Sequence, residues 1–463
     1  MAYFLLFQLA PLILLWILLA RIDHYSWFRR FGVPAVFLVG AALQFLLWSF
    51  SHPNLDNPDS LGYFRLGHGL ETDLRANLFR PKLYPLFLGL FDSVKAATFC
   101  QCLLKVAAAF CIARFSRLLE WRPGPTVFIL LLYFLNSMWL QEPLRVMDTT
   151  LFTFLFTAFF WLAVETAAAF SFGKFMALCL AAGLAGLTRQ AGDLSMVLVG
   201  ASLIMALVLG KKTDPGMLLL PILLGVLVAC AGLFQNGIRY GVYKRSVAMG
   251  INLYTHASFY ELADPASPEW RYVEHFLPGA GRRYPPWSTG YSRDVPWRVN
   301  ALPHVLERAM KPYDGETILA CDREMTRRFL LWAGGNPGGY LASVRNETMR
   351  LLWKCEEFYP ESLIGKVFRI PDFLRRMERG IIHQPPGLLL AFALAGLIVG
   401  KRRRLLLALP FLGIVAYLLL IAAVQVGFTR YALPVLPCLF MLAGQAFNCA
   451  TAWVSPARDD PGS

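Results

Sequence analysis

The chain alternates between long apolar runs and short polar breaks. Eleven runs approach the roughly 20 residues that a bilayer-crossing helix needs. They cover 2–20, 32–50, 96–114, 126–141, 149–170, 175–188, 194–210, 217–235, 381–400, 405–426 and 432–453. The runs 126–141 and 175–188 are short for a span. The pattern predicts an all-α polytopic membrane protein with about 11 transmembrane helices. One segment, 237–384, breaks the pattern and carries half of the charged residues of the chain. It is large enough for a core of its own, so a soluble domain of mixed or mainly helical structure is expected there.

The polar breaks also carry an orientation. Every second one is basic: Arg21, Arg29 and Arg30; Arg114, Arg117 and Arg122; Lys174; Lys211 and Lys212; Lys401 with Arg402, Arg403 and Arg404. Lys and Arg in short loops mark the cytoplasmic side. The N-terminus is then outside, the C-terminus inside, and 51–95, 142–148, 189–193, 237–384 and 427–431 all face out. The first run lacks a basic leader region and a small-residue cleavage site, so it is expected to be a retained helix. The expected organisation is an extra N-terminal helix with a basic inner loop (1–31), a seven-span module (32–236) whose first outer loop is 51–95, the outer segment 237–384, and C-terminal helices with a short inner tail (385–463).

Composition agrees with this division. Of 463 residues, 57% are hydrophobic and 16% charged, with a mean hydropathy of +0.50. Those values exclude a disordered chain, a nucleic-acid-binding module and an ordinary soluble enzyme. The net charge of +14 is carried largely by the inner turns and the outer segment, so it is not read as a nucleic-acid partner. Of nine cysteines, seven lie in or beside spans, where a thiol behaves as a small hydrophobe. Cys321 and Cys355 lie in the outer segment, as a disulfide or as two free thiols. There is no C-x-x-C, H-E-x-x-H, P-loop or dinucleotide fingerprint, and no internal repeat.

Chemistry-bearing residues collect on the outer side. The first outer loop reads His52-Pro-Asn-Leu-Asp56-Asn-Pro-Asp59-Ser60-Leu-Gly-Tyr63. Asp59 or Ser60 suits the N-cap of a helix running through Tyr63 and Leu70. A carboxylate held there is also a candidate general base for a hydroxyl nucleophile. Asp56 and His52 are candidate partners for a divalent cation. The loop ends with Arg80-Pro81-Lys82-Leu83-Tyr84-Pro85-Leu86. Those cations and that phenol suit either interfacial anchoring or a phosphate clamp. Glu142, Arg189 and Arg430-Tyr431 each sit at an outer helix end, where snorkelling explains any one of them. Snorkelling does not explain why Asp59, Glu142, Arg189 and Arg430 share one membrane face, and such a set is a site hypothesis. Lys105, near the middle of the third run, is a costly intramembrane cation. Asn346-Glu347-Thr348 fits a glycosylation acceptor pattern.

These motifs together resemble the GT-C superfamily of polytopic glycosyltransferases, and within it the protein O-mannosyltransferase / aminoarabinose transferase-like group. Asp59 with Tyr63 is similar to that family's first-loop aspartate. Arg80 to Leu86 looks like its R-P-P-L-Y-P-L run, with Lys82 where a second proline is common. Glu142-Pro143-Leu144, Gly186-Leu187-Thr188-Arg189, Gly250-Ile-Asn252-Leu253-Tyr254 and Arg430-Tyr431-Ala-Leu-Pro434-Val-Leu-Pro437 resemble later motifs in the family's order. Asn336-Pro337-Gly338-Gly339-Tyr340-Leu341, with Leu352-Trp353 downstream, resembles a helix pair of its large outer loop. The second to eighth runs fit its seven-span module; the extra first run departs from it.

The resemblance implies an inverting transfer of a sugar from a polyprenyl-phosphate donor to a hydroxyl acceptor on protein, lipid or polysaccharide. It would take place at the outer or periplasmic face of the plasma (bacterial inner) membrane. It implies Asp59 as general base, with Glu142 assisting. Arg80, Lys82, Tyr84, Arg189, Arg430 and Tyr431 would bind the donor phosphate. No cofactor is certain, and a divalent cation stays open. A transporter or flippase of lipid-linked sugars, which would show midplane charges and inverted repeats, is the main alternative. An O-antigen ligase or polymerase-type transferase is another. The aromatic stretch 284–297 offers either packing or sugar-stacking surfaces.

Overall fold

The computed structural model describes residues 9–261 apart from 52, 54, 56, 57, 72, 73, 209–215 and 248, together with 315–353, 384–400, 404–424 and 429–454. Candidate residues His52, Asp56 and Cys355 and the aromatic stretch 284–297 lie outside these. The described residues form helices, with no strand among them.

The described parts of the apolar runs are largely helical, with 126–141 divided between two helices at Asn136. The helices are α1 (Ala10–Ile22) and α2 (Ser26–Phe50), then, after the three short helices α3 (Pro58–Gly67), α4 (Leu74–Phe79) and α5 (Leu83–Leu88), α6 (Val94–Leu118) and α7 (Pro123–Leu135). After the short α8 (Ser137–Gln141) follow α9 (Thr149–Ala168), α10 (Phe172–Thr188), α11 (Asp193–Val208) and α12 (Gly216–Tyr240). The segment 237–384 contributes α13 (Met249–Glu261), α14 (Gly315–Gly335) and α15 (Pro337–Trp353), and the helices after it are α16 (Pro386–Val399), α17 (Arg404–Val424) and α18 (Leu436–Val454). Among the described residues, seven stretches are long and apolar enough to cross a membrane: those of α2, α6, α9, α11, α12, α17 and α18. Helices α1, α7, α10 and α16 are apolar but shorter.

The helices sort by how much of them is covered. In the most apolar window of Tyr431–Ala452, 83% of residues are buried, against 17% for Ser26–Phe50 and 22% for Leu218–Tyr240. So α18 and α9 form the centre, while α2 and α12 present Leu38, Val39, Leu219 and Leu220 outward. An aromatic column, Phe152, Phe156, Phe159 and Phe160 of α9, is fully buried and packs against Tyr417 of α17. Between apolar helices in lipid, association depends on close van der Waals fit and small residues. The α10–α12 contact shows this: a Cβ on Gly183 would lie 2.4 Å from the Gly225 carbonyl oxygen.

Several polar side chains inside the bundle are paired. Lys105 of α6 is fully buried and donates to Gln44 Oε1 of α2 at 2.8 Å, while Gln44 Nε2 reaches Cys102 Sγ at 3.4 Å. At one end of the bundle, Trp121 Nε1 donates to Gln445 Oε1 at 2.7 Å and the Gly124 amide to Asp23 Oδ1 at 2.9 Å. Glu165 there faces Lys174 at 3.4 Å and Arg114 at 4.0 Å. The opposite end carries α3–α5, the turn 142–148, the turn 189–192 and the 3-10 helix Thr429–Val435.

Helices α13, α14 and α15 also sit at that opposite end. Asp322 of α14 is buried, accepts from the Gly250 amide at 2.7 Å and pairs with Lys244 at 2.6 Å. His256 of α13 is fully buried with Nδ1 2.8 Å from Ser343 Oγ of α15. Burial pushes this imidazole down to about 4. Cys321 is buried on α14. Asn336 separates α14 from α15 as a cap, its Oδ1 accepting from the Gly339 amide at 3.0 Å.

Candidate functional site

Asp59 is set by the start of α3. Pro58 opens the helix, where its missing N–H costs nothing. Asp59 therefore lies inside the first turn and is not the cap that the sequence pattern predicts. A carboxylate there is favoured by the helix dipole. Ser60 also does not cap: its Oγ lies 3.7 Å from Met147 Sδ. Nor does α3 run to Leu70. It closes at Gly67 in a Schellman turn, with Gly69 at φ +68°, the Leu70 amide bonded to Arg65 O at 2.8 Å and the Gly69 amide to Leu66 O at 3.3 Å.

Asp59 Oδ1 accepts from Arg80 Nη2 at 3.3 Å, with the Asp59 side chain 46% exposed and that of Arg80 16%. The guanidinium also lies over the Tyr63 ring, 4.9 Å from its centre. Gly62 makes room for it, since a Cβ there would stand 1.7 Å from Arg80 Nη1. The Tyr63 ring meets Tyr84 edge-on at 5.1 Å, and the Tyr84 hydroxyl donates to Gln101 Oε1 at 2.8 Å. Gln101 Nε2 then donates to Pro143 O at 3.0 Å and Arg145 O at 2.7 Å. This relay ties the loop 51–95 to the turn 142–148. Burial first, and Asp148 next, holds both phenols well above the ordinary tyrosine range. Both stay protonated, and the Tyr84 hydroxyl acts as a hydrogen-bond donor.

A charged layer lies beneath. Glu142 is 2% exposed, and among the described residues its Oε1 has no hydrogen-bond partner. Arg189 ends α10 and Asp148 precedes α9; these antiparallel neighbours bring the two side chains together. Arg189 Nε donates to Asp148 Oδ2 at 2.8 Å, and Nη2 to Asp148 Oδ1 at 2.6 Å and Thr149 Oγ1 at 2.8 Å. Both side chains are at most a tenth exposed. The guanidinium is flanked by the rings of Phe152 (5.5 Å) and Tyr431 (5.6 Å), and its Nη1 has no partner among the described residues. Tyr431 O accepts from Tyr417 at 3.2 Å. Arg430 lies in the 3-10 helix Thr429–Val435 beside this layer, with its side chain outside the described residues.

Lys82 belongs to a second group. It is buried, donates to Asn77 O, and lines a small recess with Pro81, Gln190, Arg245 and Ser246. Arg245 makes a two-pronged pair with Asp193. Burial, with Arg239 nearby, lowers the Lys82 ammonium to about 8. Arg80 and Lys82, two residues apart, thus serve different neighbourhoods.

Of the residues singled out from sequence, Asp59, Arg80 and Tyr84 are joined through Tyr63, Arg189 and Tyr431 meet in the layer beneath, Glu142 lies close enough to act electrostatically on Tyr84, and Lys82 lines the adjoining recess. Sequence reasoning missed Asp148, Arg245, Gln101 and the role of Tyr63 as a platform for Arg80. Asp148 had a legible signal: a lone acid just before an apolar run, at the same level as Arg189 just after the next run. Among the described residues no group of three His, Cys, Asp or Glu gathers to hold a metal ion. Asp59 and Asp148 instead face arginines. No protein-family model, curated protein or solved structure matches this chain.

Proposed function

We propose that this chain is an inverting membrane glycosyltransferase. It moves a sugar from a polyprenyl-phosphate donor to a hydroxyl acceptor on a protein, lipid or polysaccharide. The observation that carries this reading is Asp59: a half-exposed carboxylate at a helix start, beside Arg80, over a buried layer of Glu142, Asp148 and Arg189. In this reading all eleven apolar helices span the plasma (bacterial inner) membrane, and this end of the bundle faces outward or into the periplasm.

The chemistry follows from the groups present. Asp59 takes the proton of the acceptor hydroxyl as its oxygen bonds to the anomeric carbon. The bond from that carbon to the phosphate oxygen breaks, and its electron pair leaves on the phosphate. Phosphate is a weak base, so the departing oxygen needs positive charge more than a proton. Arg80 supplies it beside Asp59, and Lys82 adds positive charge from the adjoining recess, where Arg245 is already paired with Asp193. Arg189 is held by Asp148 and acts chiefly by setting the field beneath Tyr63 and Tyr84. No step is routed through a divalent cation.

A carrier of lipid-linked sugars is the second reading, favoured by the buried Lys105–Gln44 pair inside the bundle. One experiment separates the two. The purified chain in vesicles is given a panel of polyprenyl-phosphate sugars, and released polyprenyl phosphate and modified acceptor are followed by mass spectrometry. Release coupled to acceptor modification is expected. Movement of intact donor across the bilayer without release would favour the carrier and sink the transferase.

A further inference from the structure

Helix α15 is amphipathic in an unusual place. Its Tyr340 hydroxyl donates to Ala423 O at 3.0 Å, one residue from the end of the apolar helix α17. At the other end of α15, the Trp353 ring lies where a Cβ on Gly387, the second residue of α16, would stand 2.9 Å from it. Tyr340 and Trp353 are about 20 Å apart along the helix. Helix α15 therefore lies across the ends of two bundle helices and does not project away from them.

One face of α15 is occupied: Ser343, Glu347 and Leu351 are buried. Another carries Leu341, Arg345, Met349 and Trp353 at four-residue steps, all exposed. The end of α14 continues this surface. Phe329 and Trp332 pack on Tyr340 at ring distances of 5.3 and 6.2 Å, which holds Leu330 and Leu331 beside it. Leu331 is 63% and Leu341 67% exposed. Outside a bilayer such a cluster would be an apolar patch in water, which soluble surfaces avoid. Exposed Leu419 and Leu420 of α17 lead up to it from the lipid-facing side. Apolar and Trp side chains with an interspersed arginine suit the boundary between acyl chains and headgroups.

We infer that the α14–α15 hairpin is a membrane-docking element whose tip, Leu330, Leu331 and Leu341, enters the acyl-chain region of the leaflet on the side of the candidate site. The inference rests on the chain lying in a bilayer and is independent of the transferase chemistry. Such an element would fix the outer helices over the mouth of the site at the level of a lipid-linked ligand.

The test uses the full chain in phosphatidylethanolamine–phosphatidylglycerol vesicles, with a photo-reactive residue placed singly at Leu331, Leu341, Leu220 or Glu324. Leu220, on the outward face of α12, reports lipid contact of the bundle. Glu324, in the middle of α14, reports an aqueous position. Lipid adducts at Leu331 and Leu341 comparable to those at Leu220, and well above those at Glu324, are expected. Adducts at Leu220 alone overturn the inference and leave the membrane reading standing. Adducts from Leu331 and Leu341 to this chain or to a second copy overturn it equally. Because each position is labelled separately, failure of one variant to fold leaves the other decisive.

Discussion

The pair Asp148–Arg189 is predicted to be structural, and Asp59–Arg80 functional, and the two separate by stability. Asp148→Asn leaves the Arg189 guanidinium in a site where both side chains are at most a tenth exposed. It loses charge-assisted bonds at 2.8 and 2.6 Å. Removing one partner of a buried ion pair typically costs about 3–5 kcal/mol, because the remaining charge stays desolvated. An amide oxygen still accepts one bond, so the lower end, about 3 kcal/mol, applies. Asp59→Asn acts on a carboxylate 46% exposed and 3.3 Å from its partner, where an ion pair is worth about 0–1 kcal/mol. The difference of about 2 kcal/mol is about 30-fold in the folding equilibrium. Unfolding in mixed micelles titrated with sodium dodecyl sulfate, followed by tryptophan fluorescence, measures both. The double variant Asp148→Asn/Arg189→Gln removes both charges and should recover much of the loss. An Asp148→Asn protein within 1 kcal/mol of wild type, or a double variant no better than the single one, would refute the reasoning.

Three further outcomes are expected. Gly62→Ala places a methyl 1.7 Å from Arg80 Nη1; it should displace the guanidinium from Asp59 and cut sugar transfer at least tenfold, with unfolding little changed, as read by transfer rate against micellar stability. Lys82 binds an anion only as an ammonium, and its proton leaves near pH 8; donor KM should rise as pH passes upward through 8, and Lys82→Arg should remove that limb. His256 stays neutral when folded down to about pH 4, while an unfolded imidazole takes a proton near 6.5. Stability present above pH 6.5 should therefore fall as pH drops toward 4, seen as faster amide hydrogen exchange in α13–α15 at pH 5 than at pH 7, after correction for intrinsic rates.

Much of the bundle could be read from the apolar runs, because in lipid each must satisfy its own backbone as a helix. The boundaries could not. Helix α2 begins at Ser26, ahead of the apolar run at 32, because Arg29 and Arg30 can snorkel while the backbone stays helical. The run 126–141 is broken at Asn136, whose side chain accepts from the Trp139 amide and starts a new short helix. Residues of the candidate site were legible where a charge stood alone at a helix end, as Glu142 and Arg189 do. They were not legible where function depends on pairing across the fold. Asp148 is 41 residues from Arg189, and Arg245 is 163 residues from Lys82. Composition cannot show that Arg80 and Lys82 point to different neighbourhoods either, since both belong to one short motif.

The central claim is that Asp59 is the base in a sugar transfer. Its most direct test is the single-turnover rate with a polyprenyl-phosphate sugar and acceptor, comparing wild type with Asp59→Asn at equal folded concentration. The account predicts transfer by the wild type and a loss of at least 100-fold in the variant, within the range that general-base catalysis contributes. It also predicts unchanged stability and retained donor binding. An Asp59→Asn protein that transfers sugar at the wild-type rate would contradict it.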